Sequence, residues 1–183
     1  MNNKPKLIIV TGRPGSGKTT LARELGKLLY FPVVIRDEIK EGYVNIFNIR
    51  HNKLPDDTNK IISKIFFKNI SSLLSNKVSI IAEAAFQHKI WEPEITKLKK
   101  YSKIFIIICE IDPEIAAQSI EVPTIKVSTL NGYNPKLEKI IKQILSLIND
   151  KSYLIPKKSV FNKIVGDSDF ELEFAHFIEG CED

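Results

Sequence analysis

The residues with the clearest chemical meaning lie in one short segment near the N-terminus. They match the pattern G-x-x-x-x-G-K-S/T in full and are Gly12, Arg13, Pro14, Gly15, Ser16, Gly17, Lys18 and Thr19. Glycines let the backbone turn so that successive N–H groups point inward and form a nest for anions. In such a loop the lysine reaches the β- and γ-phosphates, and the hydroxyl that follows is placed to bind Mg²⁺. The segment therefore predicts a site for ATP, or another nucleoside triphosphate, together with Mg²⁺.

The sequence on either side of this loop supports the same prediction. The apolar run 6–10 is typical of a buried strand, and residues 18–30 carry apolar side chains at helical spacing. A helix that begins near Lys18 adds the positive end of its dipole to the phosphate site. The alternative is a chance glycine turn, and a full match in a chain of this length arises by accident about 1% of the time.

Two carboxylates follow apolar runs that are typical of strands. Asp37 comes after residues 31–35, and Glu83 comes directly after residues 78–82. Both are expected at the C-terminal edge of the sheet, where ligands bind in open α/β folds. Glu83 is predicted to hold Mg²⁺ through water or to orient a substrate, because an unpaired buried carboxylate is costly. Asp37 has a second interpretation as a helix N-cap.

Apolar runs alternate with helical patterns along the first 150 residues. Strands are predicted at 6–10, 31–35, 78–82, 103–109 and 124–127, and helices at 18–30, from Asp37, from Asp56 or Asp57 to 75, from near Pro93 to 101, from Asp112, and at 135–148. This alternation predicts an α/β fold with a mostly parallel five-stranded sheet and helices on both faces. Residues 1–150 are expected to form one nucleotide-binding domain, and residues 151–183 a C-terminal appendage, interpreted as a docking helix.

The composition restricts the class of protein. A length of 183 residues, with 43% hydrophobic and 27% charged, is typical of one globular domain in solution. The longest apolar run, 104–109, is far shorter than the roughly 20 residues of a membrane-spanning helix. No signal peptide is expected, and neither Cys109 nor Cys181 has the spacing of a zinc site or a disulfide scaffold. A cytoplasmic location without membrane attachment is therefore predicted.

The net charge of +5 permits a nucleic-acid partner but does not favour one. The positive excess is almost entirely lysine spread along the chain, and the four arginines (Arg13, Arg23, Arg36 and Arg50) all lie in its first 50 residues. A protein that reads a phosphate backbone usually clusters arginine and lysine on one face with aromatic residues. A small-molecule partner is the preferred interpretation.

Several further segments resemble one protein family. The phosphate loop with Thr20, then 35–42 (IRDEIKEG), 82–87 (AEAAFQ), 122–125 (VPTI) and 131–135 (NGYNP), are similar to small P-loop kinases of the chloramphenicol-phosphotransferase and zeta-toxin type, often labelled AAA-type ATP-binding proteins. The resemblance covers roughly residues 5–149. It implies a three-layer P-loop NTPase fold and transfer of the γ-phosphoryl group of ATP.

The resemblance also implies roles for individual residues. Asp37 is expected to accept or orient the proton of the acceptor hydroxyl, and Glu83 to assist the metal or the acceptor. Arg36 is interpreted either as a contact to phosphate or substrate or as a surface charge, and Gln87 as lining the acceptor pocket. Contacts near the adenine are implied for Asn131, Gly132 and Tyr133, although a turn before the last helix explains these residues equally well.

One departure from the family puts catalysis in question. Kinases of this type carry an arginine-bearing lid ahead of the fifth strand, and residues 111–121 leave no room for it and contain no arginine. Such an arginine is worth roughly 10³- to 10⁵-fold in rate. Three explanations stay open: Arg13 replaces it, a partner or second subunit supplies one, or the chain binds nucleotide and transfers phosphate poorly.

The sequence thus predicts an ATP- and Mg²⁺-dependent kinase that acts on a small hydroxyl-bearing molecule. In that hypothesis Lys18, Asp37 and Glu83 are catalytic, and Thr19 binds the metal. A nucleotide-dependent binding or regulatory ATPase is the first alternative, favoured by the missing lid. A polynucleotide 5′-hydroxyl kinase is the second, permitted by the basic charge.

Overall fold

The centre of the chain is a parallel β-sheet whose strands follow the predicted apolar runs. The structure, a computed structural model, describes residues 4–47, 54–85, 88–110 and 122–148. Its strands are β1 (Lys6–Gly12), β2 (Val33–Ile35), β3 (Ile80–Glu83), β4 (Lys103–Glu110) and β5 (Thr124–Ser128). They pair in the order β2-β3-β1-β4-β5, and every pair is parallel. The predicted α/β fold with a five-stranded parallel sheet is confirmed.

Helices cover both faces of this sheet. In the described ranges they are α1 (Lys18–Leu29), α2 (Arg36–Phe47), α3 (Thr58–Ser75), α4 (His88–Leu98) and α5 (Leu137–Ile148). The buried side chains of α1 and α5 pack on one face against Val10 and Ile107. Those of α3 and α4 pack on the other face against Ile9 and Ile106. Because successive strand residues point to opposite faces, β1 and β4 are apolar on both, which explains their continuous hydrophobic sequences.

The register of the strands brings distant residues to one edge of the sheet. β1 lies at the centre, with β3 on one side and β4 on the other. Val10 pairs with Glu83 of β3, and Gly12 pairs with Cys109 of β4. The end of β1, the loop that follows it and the end of β3 therefore meet at the C-terminal edge.

The predicted elements agree with the observed ones to within two residues, with one exception. Helix α4 begins at His88 and contains Pro93 in its interior, so the prediction that Pro93 lies near the helix start is wrong. Proline removes one helical hydrogen bond. However, Trp91 precedes it and is only 2% exposed in the core beside Ile95, and this burial favours helix on both sides of the proline.

Two predictions concern parts of the chain beyond these ranges. The helix expected from Asp112 and the appendage 151–183 both lie outside the described residues. Among the helices that the structure describes, none is at once long enough and apolar enough to cross a bilayer.

Candidate nucleotide-binding site

The turn between β1 and α1 depends on glycine at three positions. Gly15 and Gly17 have φ angles of 77° and 71°, in the left-handed region that disfavours side chains. A Cβ atom on Gly12 would lie 2.4 Å from Ser16 Oγ and 2.5 Å from the carbonyl oxygen of Cys109. The predicted phosphate loop is therefore a tight backbone turn, and it leads directly into α1.

The start of α1 is suited to an anion. Gly17 occupies the N-cap position in a left-handed conformation, and no side chain caps the helix there. The first N–H groups of a helix lack partners within the helix, and the helix dipole places positive potential on them. Phosphate oxygens are well matched to such a helix start.

The loop is also held by a residue that follows the last strand. Thr129 Oγ1 donates a hydrogen bond of 3.0 Å to the Ser16 carbonyl oxygen. The Thr129 N–H donates in turn to the Glu110 carbonyl oxygen at 3.2 Å. Sequence reasoning missed Thr129, because a threonine after a strand gives no local signal of a contact across 113 residues.

Two hydroxyls at this edge are buried without a hydrogen-bond partner among the described residues. Ser16 Oγ and Thr11 Oγ1 belong to residues that are 1% and 3% exposed. An unsatisfied buried hydroxyl costs roughly 1–3 kcal/mol. Ser16 lies within the phosphate loop, so a phosphate oxygen is a partner suited to its position.

Lys18, Thr19 and Glu83 come together at the base of the loop. Thr19 Oγ1 donates a 2.8 Å hydrogen bond to Glu83 Oε2. Lys18 Nζ lies 3.9 Å from Glu83 Oε1. The Lys18 and Glu83 side chains are only 11% and 2% exposed, so this ion pair lies at the bottom of the site. The motif predicts the first two residues, and their pairing with Glu83 results from the parallel register of β1 and β3.

The electrostatics of Glu83 show the cost of this arrangement. Burial raises the pKa of the Glu83 carboxyl above its ordinary value, and the hydrogen bond from Thr19 and the charge of Lys18 partly offset that rise. The nearby acids Asp37 and Glu38 raise the pKa further. A cation bound here would relieve this repulsion, because it favours the charged carboxylate.

The donor atoms of this site fit Mg²⁺. This ion prefers hard oxygen ligands and is usually held by one or two carboxylates together with substrate phosphates and water. The Thr19 hydroxyl and the Glu83 carboxylate already lie in contact at the base of the phosphate loop. These two residues would hold the metal, directly or through water, between the protein and the phosphates.

Asp37 lies near this group but is far more exposed. It is the second residue of α2, in the first turn, so it is not the N-cap considered as an alternative. Its side chain is 74% exposed and its Oδ1 lies 3.7 Å from an Arg36 guanidinium nitrogen. Arg36 also donates to Asn59 and Ser63 of α3, at 3.3–3.4 Å. Arg36 therefore links α2 to α3 beside a carboxylate that solvent can reach.

The three residues predicted to contact the base, in the loop after β5, differ from one another in burial. Tyr133 is half-buried against the α1 and α5 core. Its hydroxyl hydrogen-bonds Glu24 of α1, and burial, followed by this carboxylate, raises the pKa of Tyr133. Asn131 and Gly132 are exposed, and Gly132 has a φ of 86°. Tyr133 thus contributes to packing, while the two residues before it form the surface of the turn.

The remaining acceptor-side residues are only partly described. Gln87 lies outside the described residues, as do residues 111–121, where the lid was predicted to be missing. Lys126, on β5, forms an ion pair of 3.1 Å with Glu110. Arg13, in the phosphate loop, is exposed.

Comparisons with known proteins agree with this fold and this loop. A family model described as an AAA domain matches residues 8–105, more than half of the chain. The chain therefore belongs to this AAA-domain family, which confirms the resemblance inferred from its motifs. A search of curated protein sequences found no match.

Solved structures with the same fold include several kinases. A protein described as a "putative kinase" from Chloroflexus aurantiacus J-10-fl is 20% identical, with a TM-score of 0.67, and the match covers 79% of this chain and 96% of that one. A gluconokinase from Sinorhizobium meliloti 1021 is 11% identical, with a TM-score of 0.51 and coverage of 81% and 93%. A chain of the Pnkp1/Rnl/Hen1 RNA repair complex is 19% identical, with a TM-score of 0.52 and coverage of 80% and 46%. At these identities the likeness establishes the fold that this chain shares with small P-loop kinases.

Proposed function

We propose that the chain is a kinase that transfers the γ-phosphoryl group of ATP to a hydroxyl group of a small molecule. The observation that carries the proposal is the buried contact of Lys18 and Thr19 with Glu83 at the base of a phosphate loop. A loop for binding phosphate alone has no need of a buried carboxylate, which repels anions unless a cation lies between them. The combination suits a triphosphate bound with Mg²⁺.

In this proposal the loop residues hold the phosphates. The N–H groups of the loop and of the start of α1 bind phosphate oxygens, and Lys18 neutralises charge on the β- and γ-phosphates. Thr19 and Glu83 would hold Mg²⁺, and the metal would supply positive charge near the transferring group. Fixed charges of this kind act strongly in a partly buried site because water does not screen them.

The acceptor is proposed to bind over the start of α2. The bond between the γ-phosphorus and the bridging oxygen breaks, a bond to the acceptor oxygen forms, and ADP leaves. The proton of the acceptor hydroxyl passes to Asp37, whose exposed carboxylate lies close enough to influence Glu83. The proposed role of Arg36, which lies 3.7 Å from this carboxylate, and of Gln87 is to position the acceptor.

The transferring phosphoryl group also needs a cationic side chain to balance its developing charge. Residues 111–123, between β4 and β5, contain neither arginine nor lysine. Arg13 in the phosphate loop is the candidate within the chain, and an arginine from a partner is the other. Because of this gap we keep a second candidate function, a nucleotide-dependent regulatory module that hydrolyses ATP slowly.

Phosphate transfer from labelled ATP with Mg²⁺ tests the proposal. The acceptors are a panel of sugars, nucleosides, other small alcohols and 5′-hydroxyl oligonucleotides. We expect labelling of a small acceptor that is lost in Lys18→Ala. Asp37→Asn should abolish transfer and leave ATP affinity within about twofold, because a general base acts on the acceptor and not on the nucleotide.

The matched control is Asp56→Asn, an exposed carboxylate in the loop before α3. If only oligonucleotides are labelled, with a steep salt dependence, the acceptor is a polynucleotide and not a small molecule. If the chain binds ATP and hydrolyses it slowly, but labels no acceptor, it is not a kinase. An unchanged rate of hydrolysis in Asp37→Asn would then favour the regulatory module.

A further inference from the structure

A cavity opens at the edge of the sheet opposite to the nucleotide site. It has a volume of about 280 Å³ and is lined by the first residues of β1 and β4, by the two residues that precede β5, and by Lys99 and Ile144. Its apolar wall includes Phe105, Val122 and Ile144. Sites for whole small-molecule ligands usually measure about 300–1,000 Å³. This cavity is therefore of a size for one or two large side chains.

The rim of this cavity is basic. Lys6, Lys99 and Lys103 are among its lining residues, and none of the described residues that line it is acidic. Lys6 and Lys103 are paired in the register of β1 and β4, which brings two positive charges to adjacent strands. Lys6 is only 5% exposed, so the accessible charge of the rim comes from Lys99 and Lys103, which are exposed. An occupant with apolar side chains flanked by carboxylates would match both the wall and the rim.

The last part of the chain has this composition. Residues 167–183 contain seven Asp and Glu and no Lys or Arg, a net charge of −7. Residues 1–166 consequently carry +12. Within the acidic segment Phe170 stands between Asp169 and Glu171, and Phe174 follows Glu173. Both features that an occupant of the cavity needs, apolar side chains and carboxylates, therefore occur in one short stretch.

The path of the chain favours an occupant from the same molecule. Helix α5 follows β5, and its residue Ile144 lines the cavity. The described part of α5 reaches Ile148, about one turn past Ile144, so residue 149 follows within about one helical turn of the cavity. The 21 residues between Ile148 and Phe170 can span up to about 70 Å when extended, far more than is needed. Such a short tether gives an effective concentration on the order of millimolar.

We propose that the acidic segment 167–183 docks on this cavity of its own chain, with Phe170 or Phe174 buried against Phe105, Val122 and Ile144 and with its carboxylates at the lysine rim. The proposal is independent of the proposed catalytic function, because the cavity lies at the opposite edge of the sheet from Glu83. It assigns to the C-terminal appendage a surface on the nucleotide-binding domain.

Carbodiimide cross-linking of the full chain tests the docking. The reagent joins carboxylates to lysine amines that lie in contact, and peptide mass spectrometry locates the links. We expect links from residues 167–173 to Lys99 and Lys103. In an equal mixture of ¹⁴N- and ¹⁵N-labelled chains at low concentration, these links should join peptides of the same isotope.

Two pairs of variants sharpen the test. Replacing Phe170 and Phe174 together by Ser should reduce the links about tenfold or more, because burial of a Phe side chain is worth at least that factor in an equilibrium; Phe161→Ser is the control. Lys103→Glu should reduce the links at Lys99, whereas Lys100→Glu, outside the cavity lining, should leave them. An unchanged melting temperature shows that each variant is folded.

Three outcomes would overturn the proposal. Links directed mainly to Lys18, Lys40 or Lys126 would place the segment at the nucleotide edge. Links of which about half join a ¹⁴N peptide to a ¹⁵N peptide, as random pairing between copies requires, would assign the cavity to a second copy of the chain. Links spread evenly over the exposed lysines, and unaffected by the Phe replacements, would indicate attraction by charge alone.

Discussion

At the scale of single residues, the site keeps a carboxylate where the folded chain alone gains little from it. Glu83 is 1% exposed, and burial raises its pKa despite a hydrogen bond and a nearby ammonium group. Buried ion pairs are weak contributors to stability because desolvation offsets their attraction. A ligand that supplies a cation explains why a carboxylate is present in this position.

Glu83→Gln should therefore separate stability from ligand binding. Without nucleotide at pH 7, we expect the melting temperature to change by no more than about 2–4 °C, because the desolvation cost of Glu83 disappears but Lys18 loses its carboxylate partner. Nucleotide affinity in the presence of Mg²⁺ should fall about 10- to 100-fold. Thermal melting with and without Mg²⁺ and ATP measures both effects. Asp56→Asn should change neither. A fall in the melting temperature of Glu83→Gln of more than about 4 °C without nucleotide would show that Glu83 acts as a structural ion-pair partner of Lys18.

Cys109 gives a prediction that depends on pH. Burial raises its pKa from 9.0 to about 12, so the folded chain binds this proton more tightly than the unfolded chain. Stability is then fully present below pH 9 and declines as the pH rises toward 12. In a Cys181→Ser background, iodoacetamide at pH 8.5 should label Cys109 of the folded protein at least about 1,000-fold more slowly than in denaturant. Labelling at similar rates would show that the end of β4 opens readily.

How far the sequence predicts these residues depends on whether their partners are local. Lys18 and Thr19 belong to a motif of eight residues, and their roles follow from it. The position of Glu83 at the sheet edge also follows, because its strand is apolar. Its contact with Thr19, 64 residues away, depends on β3 lying next to β1, and no local pattern encodes that adjacency. Thr129 could not be predicted for the same reason.

At the scale of elements, α1 must approach β2 closely for the loop to keep its position. A Cβ on Gly26 would lie 2.4 Å from Val33 Cγ2 and 3.2 Å from the Phe31 carbonyl oxygen. Gly42 lies inside α2 with open space around it. Of these two helical glycines, Gly26 is required for close packing, whereas at Gly42 the packing leaves room for a side chain.

Replacing each by alanine should give opposite signs. Gly26→Ala should lower the free energy of unfolding by about 1–3 kcal/mol, because the strand must move away from the helix. Gly42→Ala should raise it by up to about 1 kcal/mol, because alanine favours helix. Urea unfolding of the two variants beside the parent measures both. Destabilisation by Gly42→Ala would mean that α2 needs glycine for a reason other than helix formation.

The elements themselves were largely predictable because apolar periodicity is local. Strands of a doubly covered sheet read as continuous apolar runs, and α1, α3 and α5 show regular apolar spacing. The prediction for α4 was wrong because it placed the helix start near Pro93, whereas the burial of Trp91 favours helix before the proline. The order of the strands required the structure, since it is determined by packing between segments far apart in the chain.

At the scale of the whole molecule, nucleotide binding should stabilise the entire domain. A ligand at 100 times its dissociation constant adds about 2.7 kcal/mol to the free energy of unfolding. For a chain of this size we expect saturating ATP with Mg²⁺ to raise the melting temperature by about 5–10 °C. Differential scanning fluorimetry measures the shift, and Lys18→Ala should lose most of it. A shift of equal size in Lys18→Ala would place the nucleotide elsewhere on the chain.

The hydrogen bond between Thr129 and Ser16 has a consequence for synthesis of the chain. It connects a residue in the first tenth of the sequence to one made 113 residues later. A growing polypeptide can form the glycine turn early, but it completes the support of that turn only after β5 has left the ribosome. Until then the turn lacks this hydrogen bond, so we expect the nascent chain to bind nucleotide more weakly than the finished domain.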